Sequence, residues 1–78
     1  MSSRTGKTSI FGGRLRRARE AKRWTRPELN KRTGIPVNTI RQYEIGNSLP
    51  SAQRLILLAQ ALDVDPAWLV PVEKEDGK

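Results

Sequence analysis

The stretch over residues 25–46, TRPELNKRTGIPVNTIRQYEIG, constrains the fold more than any other part of the chain. It opens with Thr25-Arg26-Pro27-Glu28, a capping box. The Thr25 hydroxyl can accept from the Glu28 amide, and the Glu28 carboxylate can reach back to the Thr25 amide. Pro27 falls in the first helical turn, where a missing N–H costs nothing. Gly34 suits the left-handed residue that ends a helix. Pro36 predicts a second start, with Pro36 as the first helical residue of a helix over 36–45. Ile40 and Tyr43 are three apart, Val37 extends that spacing, and Asn38, Arg41 and Gln42 lie largely on the other side. Gly46 closes this helix. Two short helices must therefore turn sharply about Gly34, the shape of a helix-turn-helix.

The flanking segments supply the other helices. Residues 13–23 read as a first helix with Leu15, Ala18 and Lys22 on one face, a thin inward stripe that depends on tertiary packing. Trp24 precedes the cap and can staple onto Leu29 or nearby core. Asn47-Ser48-Leu49-Pro50 is a loop. Ser51 is a candidate cap for a fourth helix, in which Leu55, Leu58, Ala59 and Leu62 follow the i, i+3, i+4, i+7 pattern. Ile56 and Leu57 leave that face. Asp65-Pro66 starts a short fifth helix that Pro71 ends, with Trp68 and Leu69 folding back onto the core. The expected organisation is a flexible basic arm over 1–12, a domain over 13–70, and a charged, disordered tail over 71–78. Gly6-Lys7-Thr8 has the ending of a phosphate-binding loop, but Met1 stands where the loop needs a glycine, so that motif is rejected. Arg4 and Lys7 suit a DNA backbone, a minor groove, or a solvated tail equally.

Charge narrows the partner. The net charge is +7, yet residues 1–44 carry twelve Lys/Arg against three acids, and residues 45–78 carry three against five. The basic half holds the helix-turn-helix pattern, an asymmetry that suits a polyanion bound through phosphate contacts. There is no cysteine and no histidine, which removes disulfides, Cys-based zinc sites and the commonest metal ligand and general base. No cofactor or metal is expected. No apolar run approaches the ~20 residues that span a bilayer, and the basic N-terminus lacks the apolar region of a secretory signal.

The whole series resembles the lambda-repressor-like, Cro/Xre-type helix-turn-helix domain. The resemblance covers about residues 15–69. It includes Leu15 and Arg19, then Glu28-Leu29, Gly34, Ile40, Glu44 and Gly46, then Pro50, Leu55 through Ala59, Leu62 and Trp68-Leu69. It implies an all-α fold, a compact five-helix bundle, whose third helix enters the DNA major groove. It also implies a structural ion pair between Arg19 and Glu44. Three residues depart from the family pattern. Arg26 stands in place of a usual glutamine that touches phosphate. Asn30 stands where a small residue lets two helices approach, so it must find a hydrogen-bond partner or open the crossing slightly. Pro36 replaces a Ser/Thr cap and removes a phosphate-binding amide.

Carried over position by position, the resemblance places Val37, Asn38, Arg41 and Gln42 at base edges. Val37 can touch a thymine methyl or pack inward. Asn38 suits adenine, Arg41 suits guanine or a phosphate, and Gln42 suits adenine or a phosphate. Arg26, Thr39 and Asn47 are expected on phosphates. Ile56, Leu57 and Val70 form a candidate dimer patch or complete the core. The implied function is a sequence-specific, double-stranded DNA-binding transcriptional regulator. It would be a phage-type or small bacterial repressor, cytoplasmic and homodimeric at least on its operator. The alternative is an antitoxin or transcriptional adaptor whose main task is to bind a protein partner. An enzyme is not expected, since there is no His or Cys and no paired carboxylates fall in an obvious pocket pattern.

Overall fold

The computed structural model describes residues 7–70, which form five helices. The first, α1 (Lys7–Ala21), begins six residues earlier than the sequence suggests. Residues 7–12 therefore belong to the packed domain and not to an arm. Residues 1–6 and 71–78, with the expected arm residue Arg4, the stop at Pro71 and the tail, lie outside the described residues. The early start has a packing cause. Phe11, Leu15 and Ala18 sit at i, i+4 and i+7 and are all buried. Two glycines inside a helix cost about 2 kcal/mol, while burying one phenylalanine contributes about 1.5–3 kcal/mol. Phe11 is fully buried and meets the Tyr43 ring edge-on, with centroids 5.6 Å apart. Lys22 is not on the inner face. It lies exposed just past α1, with its ammonium 5.9 Å from the centre of the Trp24 ring. Arg23 ends the helix in the left-handed region, at φ 63°.

The second helix, α2 (Arg26–Thr33), has the expected capping box, with both hydrogen bonds at 3.3 Å. Gly34 stops it at φ 78°, donating to the Asn30 carbonyl at 2.7 Å. Asn30 finds its partner in the turn, where its side-chain amide donates to the Ile35 carbonyl at 2.7 Å. Ile35 itself is buried between the two helices of the motif. The third helix, α3 (Val37–Glu44), starts one residue later than expected. Pro36 has ψ 144°, so it is the residue before the helix and not its first helical residue. It supplies no side-chain cap. Gly46, at φ 86°, lets the chain turn away.

The fourth helix, α4 (Ala52–Leu62), is capped by Ser51, whose hydroxyl accepts from the Arg54 amide at 3.2 Å. Its inner face is Leu58, Ala59 and Leu62, with Leu55 half-buried. Asp65 caps the short α5 (Pro66–Leu69) by accepting from the Ala67 amide at 2.9 Å. Arg14 of α1 holds α5 in place. Its guanidinium donates to the Trp68 carbonyl at 2.6 Å and lies 5.3 Å from the Trp68 ring centre. In the bundle α1 packs on α3 and α5, α2 packs on α3 and α4, and α5 returns onto α4.

Candidate nucleic-acid interface

The helix α3 is fixed from behind. Gly12 of α1 lies against its last turn so closely that a Cβ there would stand 2.5 Å from the Tyr43 carbonyl oxygen and 2.7 Å from that of Glu44. Only glycine allows this approach. Beside it, Tyr43 and Ile40 are buried in the core. The Glu44 carboxylate is nearly sealed, with its side chain 1% exposed. Its Oε2 accepts from Arg19 Nε at 2.7 Å, and its Oε1 accepts from Arg19 Nη2 at 3.1 Å. That fork-to-fork geometry is the strong form of an ion pair. Arg19 Nη1 also donates to the Trp24 carbonyl at 2.8 Å, so α1, the loop and α3 meet in one side chain. The hydrogen bond to Glu44 holds the Arg19 guanidinium above the ordinary arginine range, against the opposing cost of burial. A raised cation contributes its stability below its unfolded value, so this contribution is complete across neutral pH.

The same carboxylate takes a third donor. Arg26 Nε donates to Glu44 Oε1 at 3.0 Å. Arg26 thus has a structural partner as well as the phosphate role expected of it. Its side chain stays 31% exposed. With Arg16, Arg19, Thr25, Pro27 and Val37 it lines an open concavity of about 460 Å³. Arg16 is engaged elsewhere, donating to Glu20 at 3.0 Å in an exposed pair. That hydrogen bond holds the Glu20 carboxyl below its usual range.

The outward face of α3 is different. Val37, Asn38 and Arg41 are exposed, and Thr39 is half-buried. Among the described residues, the side chains of Asn38, Thr39 and Arg41 have no hydrogen-bond partner. Gln42 is half-buried, and its Oε1 accepts from Asn47 Nδ2 at 2.6 Å. Two residues assigned to separate contacts, a base edge and a phosphate, are therefore tied to each other. The dimer patch is divided. Ile56 and Leu57 are exposed and, with Gln53 and Arg54, line an open groove of about 440 Å³. Val70 is half-buried against the core and does not line that groove.

Sequence reasoning missed Phe11, Gly12 and Ile35 as parts of the scaffold, and the third member of the ion cluster. The spacing of Phe11, Leu15 and Ala18 would have found the first. Nothing local announces that Arg26 reaches Glu44.

Comparison with known proteins fixes the class. The helix-turn-helix family matches residues 15–69. The chain belongs to that family, with the lambda-repressor-like, Cro/Xre-type DNA-binding fold of transcriptional regulators. A curated relative is 37% identical over 65 residues, spanning 83% of this chain and 94% of its own: the uncharacterized HTH-type transcriptional regulator YazB of Bacillus subtilis. The crystal structure of the restriction-modification controller protein C.AhdI from Aeromonas hydrophila superposes with a TM-score of 0.75 at 32% identity, covering 80% of this chain and 94% of that one. The P22 c2 repressor, solved in complex with a synthetic operator, superposes with a TM-score of 0.77 at 27% identity over the same shares. The fold and family are those of a regulator and not of an enzyme. Among the described residues no cluster of His, Cys, Asp or Glu side chains could hold a metal ion. No helix among them is long and apolar enough to cross a membrane.

Proposed function

We propose that this protein is a sequence-specific transcriptional repressor, phage-type or small bacterial, that reads a double-stranded operator with α3 in the major groove. The observation that carries the reading is the contrast across α3. Its inner side is anchored by Glu44 and Gly12, while Asn38 and Arg41 stand exposed with no side-chain hydrogen-bond partner among the described residues. Polar side chains presented this way on a rigid helix suit base edges. Asn38 pairs with adenine N6 and N7, and Arg41 with guanine O6 and N7. Val37 offers its methyl groups to thymine. The Gln42 carbonyl is taken by Asn47, so Gln42 offers its amide donors to a phosphate or a base acceptor. Thr39, Asn47 and Arg26 take backbone phosphates. The P22 c2 repressor, which has the same fold, is solved on an operator, and this supports the same use of α3 here.

The repressor acts as a homodimer in the cytoplasm of a bacterium. Two copies joined through Ile56 and Leu57 would set two α3 helices about one DNA turn, ~34 Å, apart on a near-palindromic site. The same exposed groove supports a second reading, a module such as an antitoxin or adaptor that binds a protein partner. Selection from a random duplex pool, with binding to the winner measured across salt concentrations, separates the two. The repressor reading expects an enriched, near-palindromic sequence and affinity that falls steeply with salt. A pool with no enriched sequence sinks it in favour of the interaction module.

A further inference from the structure

The family's two-residue ion pair is a three-residue cluster in this chain. Glu44 is the last residue of α3, Arg19 comes from α1, and Arg26 is the first residue of α2. Three helices meet on one nearly sealed carboxylate. Two guanidinium groups against one carboxylate leave one positive charge uncompensated. That surplus is not shared equally. Arg19 is spent on Glu44 and on the Trp24 carbonyl. Arg26 commits only its Nε. Among the described residues its two Nη groups have no acceptor, and its side chain borders the open concavity beside Val37, the first residue of α3.

We infer that Arg26 is a positioning residue that couples a backbone phosphate to the recognition helix, so that sequence preference depends on a side chain that touches no base. The inference rests on the reading that α3 binds duplex DNA. A guanidinium is a rigid, planar fork with donors on both edges. Here one edge holds Glu44, and the Nη pair is left for a phosphate oxygen pair. A phosphate docked there is one planar group away from the last residue of α3. Whatever sets the register of the backbone on Arg26 therefore also sets α3 against the bases. Lysine does this poorly, because its three donors rotate about one nitrogen on a flexible stem and so carry the charge without fixing the angle between two partners. Glutamine at the same position would donate to a phosphate without carrying charge.

The test uses the full chain and its R26K and R26Q variants. Each is titrated across salt with the duplex enriched by selection and with a scrambled duplex of equal length. R26K is expected to keep the salt slope while its preference for the enriched duplex falls about tenfold, the loss of one charge-assisted hydrogen bond. R26Q is expected to flatten the slope by about one unit and to lose the preference as well. In the wild type, the Arg26 Nε–Hε resonance should move on adding the enriched duplex and stay in place with inorganic phosphate at equal ionic strength. That measurement decides the matter even if a variant fails to fold. An R26K preference equal to wild type overturns the coupling, as does an unchanged slope in R26Q or an equal response to inorganic phosphate. If the wild type prefers no sequence at all, the DNA-reading function itself has failed, a different outcome.

Discussion

The inner and outer sides of α3 differ in what stands against them. On the inner side, backbone meets backbone at Gly12, and two arginines close over Glu44. On the outer side, Asn38 and Arg41 are exposed, and their side chains make no hydrogen bond among the described residues. The first arrangement tolerates almost no change of shape or charge. The second tolerates change freely where stability is concerned and poorly where binding is. A helix only eight residues long needs this division, since it has no length with which to hold itself.

The strongest way to break the comparison is to remove the buried carboxylate. Glu44→Ala leaves Arg19 with an uncompensated charge and a side chain only 10% exposed. Breaking such a pair costs about 3–5 kcal/mol, and the Trp24 carbonyl and the open edge of Arg26 put this case near the lower figure. A loss of about 3 kcal/mol should lower Tm by about 12 °C or more in a domain this small. Thermal unfolding by circular dichroism reads it directly. A Tm within about 4 °C of wild type would mean that the cluster is ornamental and that the core alone sets α3.

A smaller loss is expected at Gly12. In Gly12→Ala the added methyl meets two main-chain carbonyls, and neither can swing aside as a side chain would. Overpacking costs about 1–3 kcal/mol, while alanine returns about 1 kcal/mol of helix propensity. The net destabilisation should fall between about 0 and 2 kcal/mol, toward the upper figure because both obstructing atoms are main-chain, with Gly13→Ala as the control. Gly13 has nothing near its missing Cβ, so that change should be neutral or stabilising. Equal Tm shifts in the two variants would show that α1 does not crowd α3.

The pair Gly12 and Thr25 also shows what the sequence could and could not convey. Thr25, Glu28, Gly34, Ser51 and Asp65 act on atoms a few residues away, so their hydrogen bonds were legible from order alone. Gly12 reads locally as a breaker, and its purpose lies in the carbonyls of Tyr43 and Glu44, far along the chain. Phe11 was hidden by the glycines that follow it, and Ile35 by its place in a turn. The candidate site divides in the same way. The exposed positions on α3 follow from helical spacing together with the family resemblance. The bonds from Arg26 to Glu44 and from Asn47 to Gln42 are tertiary and have no local pattern. Val70 could not be separated from Ile56 and Leu57 by hydropathy, because only packing tells which side of an apolar residue is covered.

The outer face sharpens the comparison from the other direction, with the smallest expected effect on stability. Arg41 is exposed and makes no side-chain hydrogen bond among the described residues, so Arg41→Ala should leave Tm unchanged within about 2 °C. Binding to the selected duplex should weaken by about 1–3 kcal/mol, and preference at one base position should relax. The two outcomes have to be read together. Weakening that is equal on every sequence would move Arg41 from a base edge to a phosphate. A large fall in Tm would remove the distinction between the two sides of α3, since Arg41 would then belong with Glu44 among the groups that hold the helix in place.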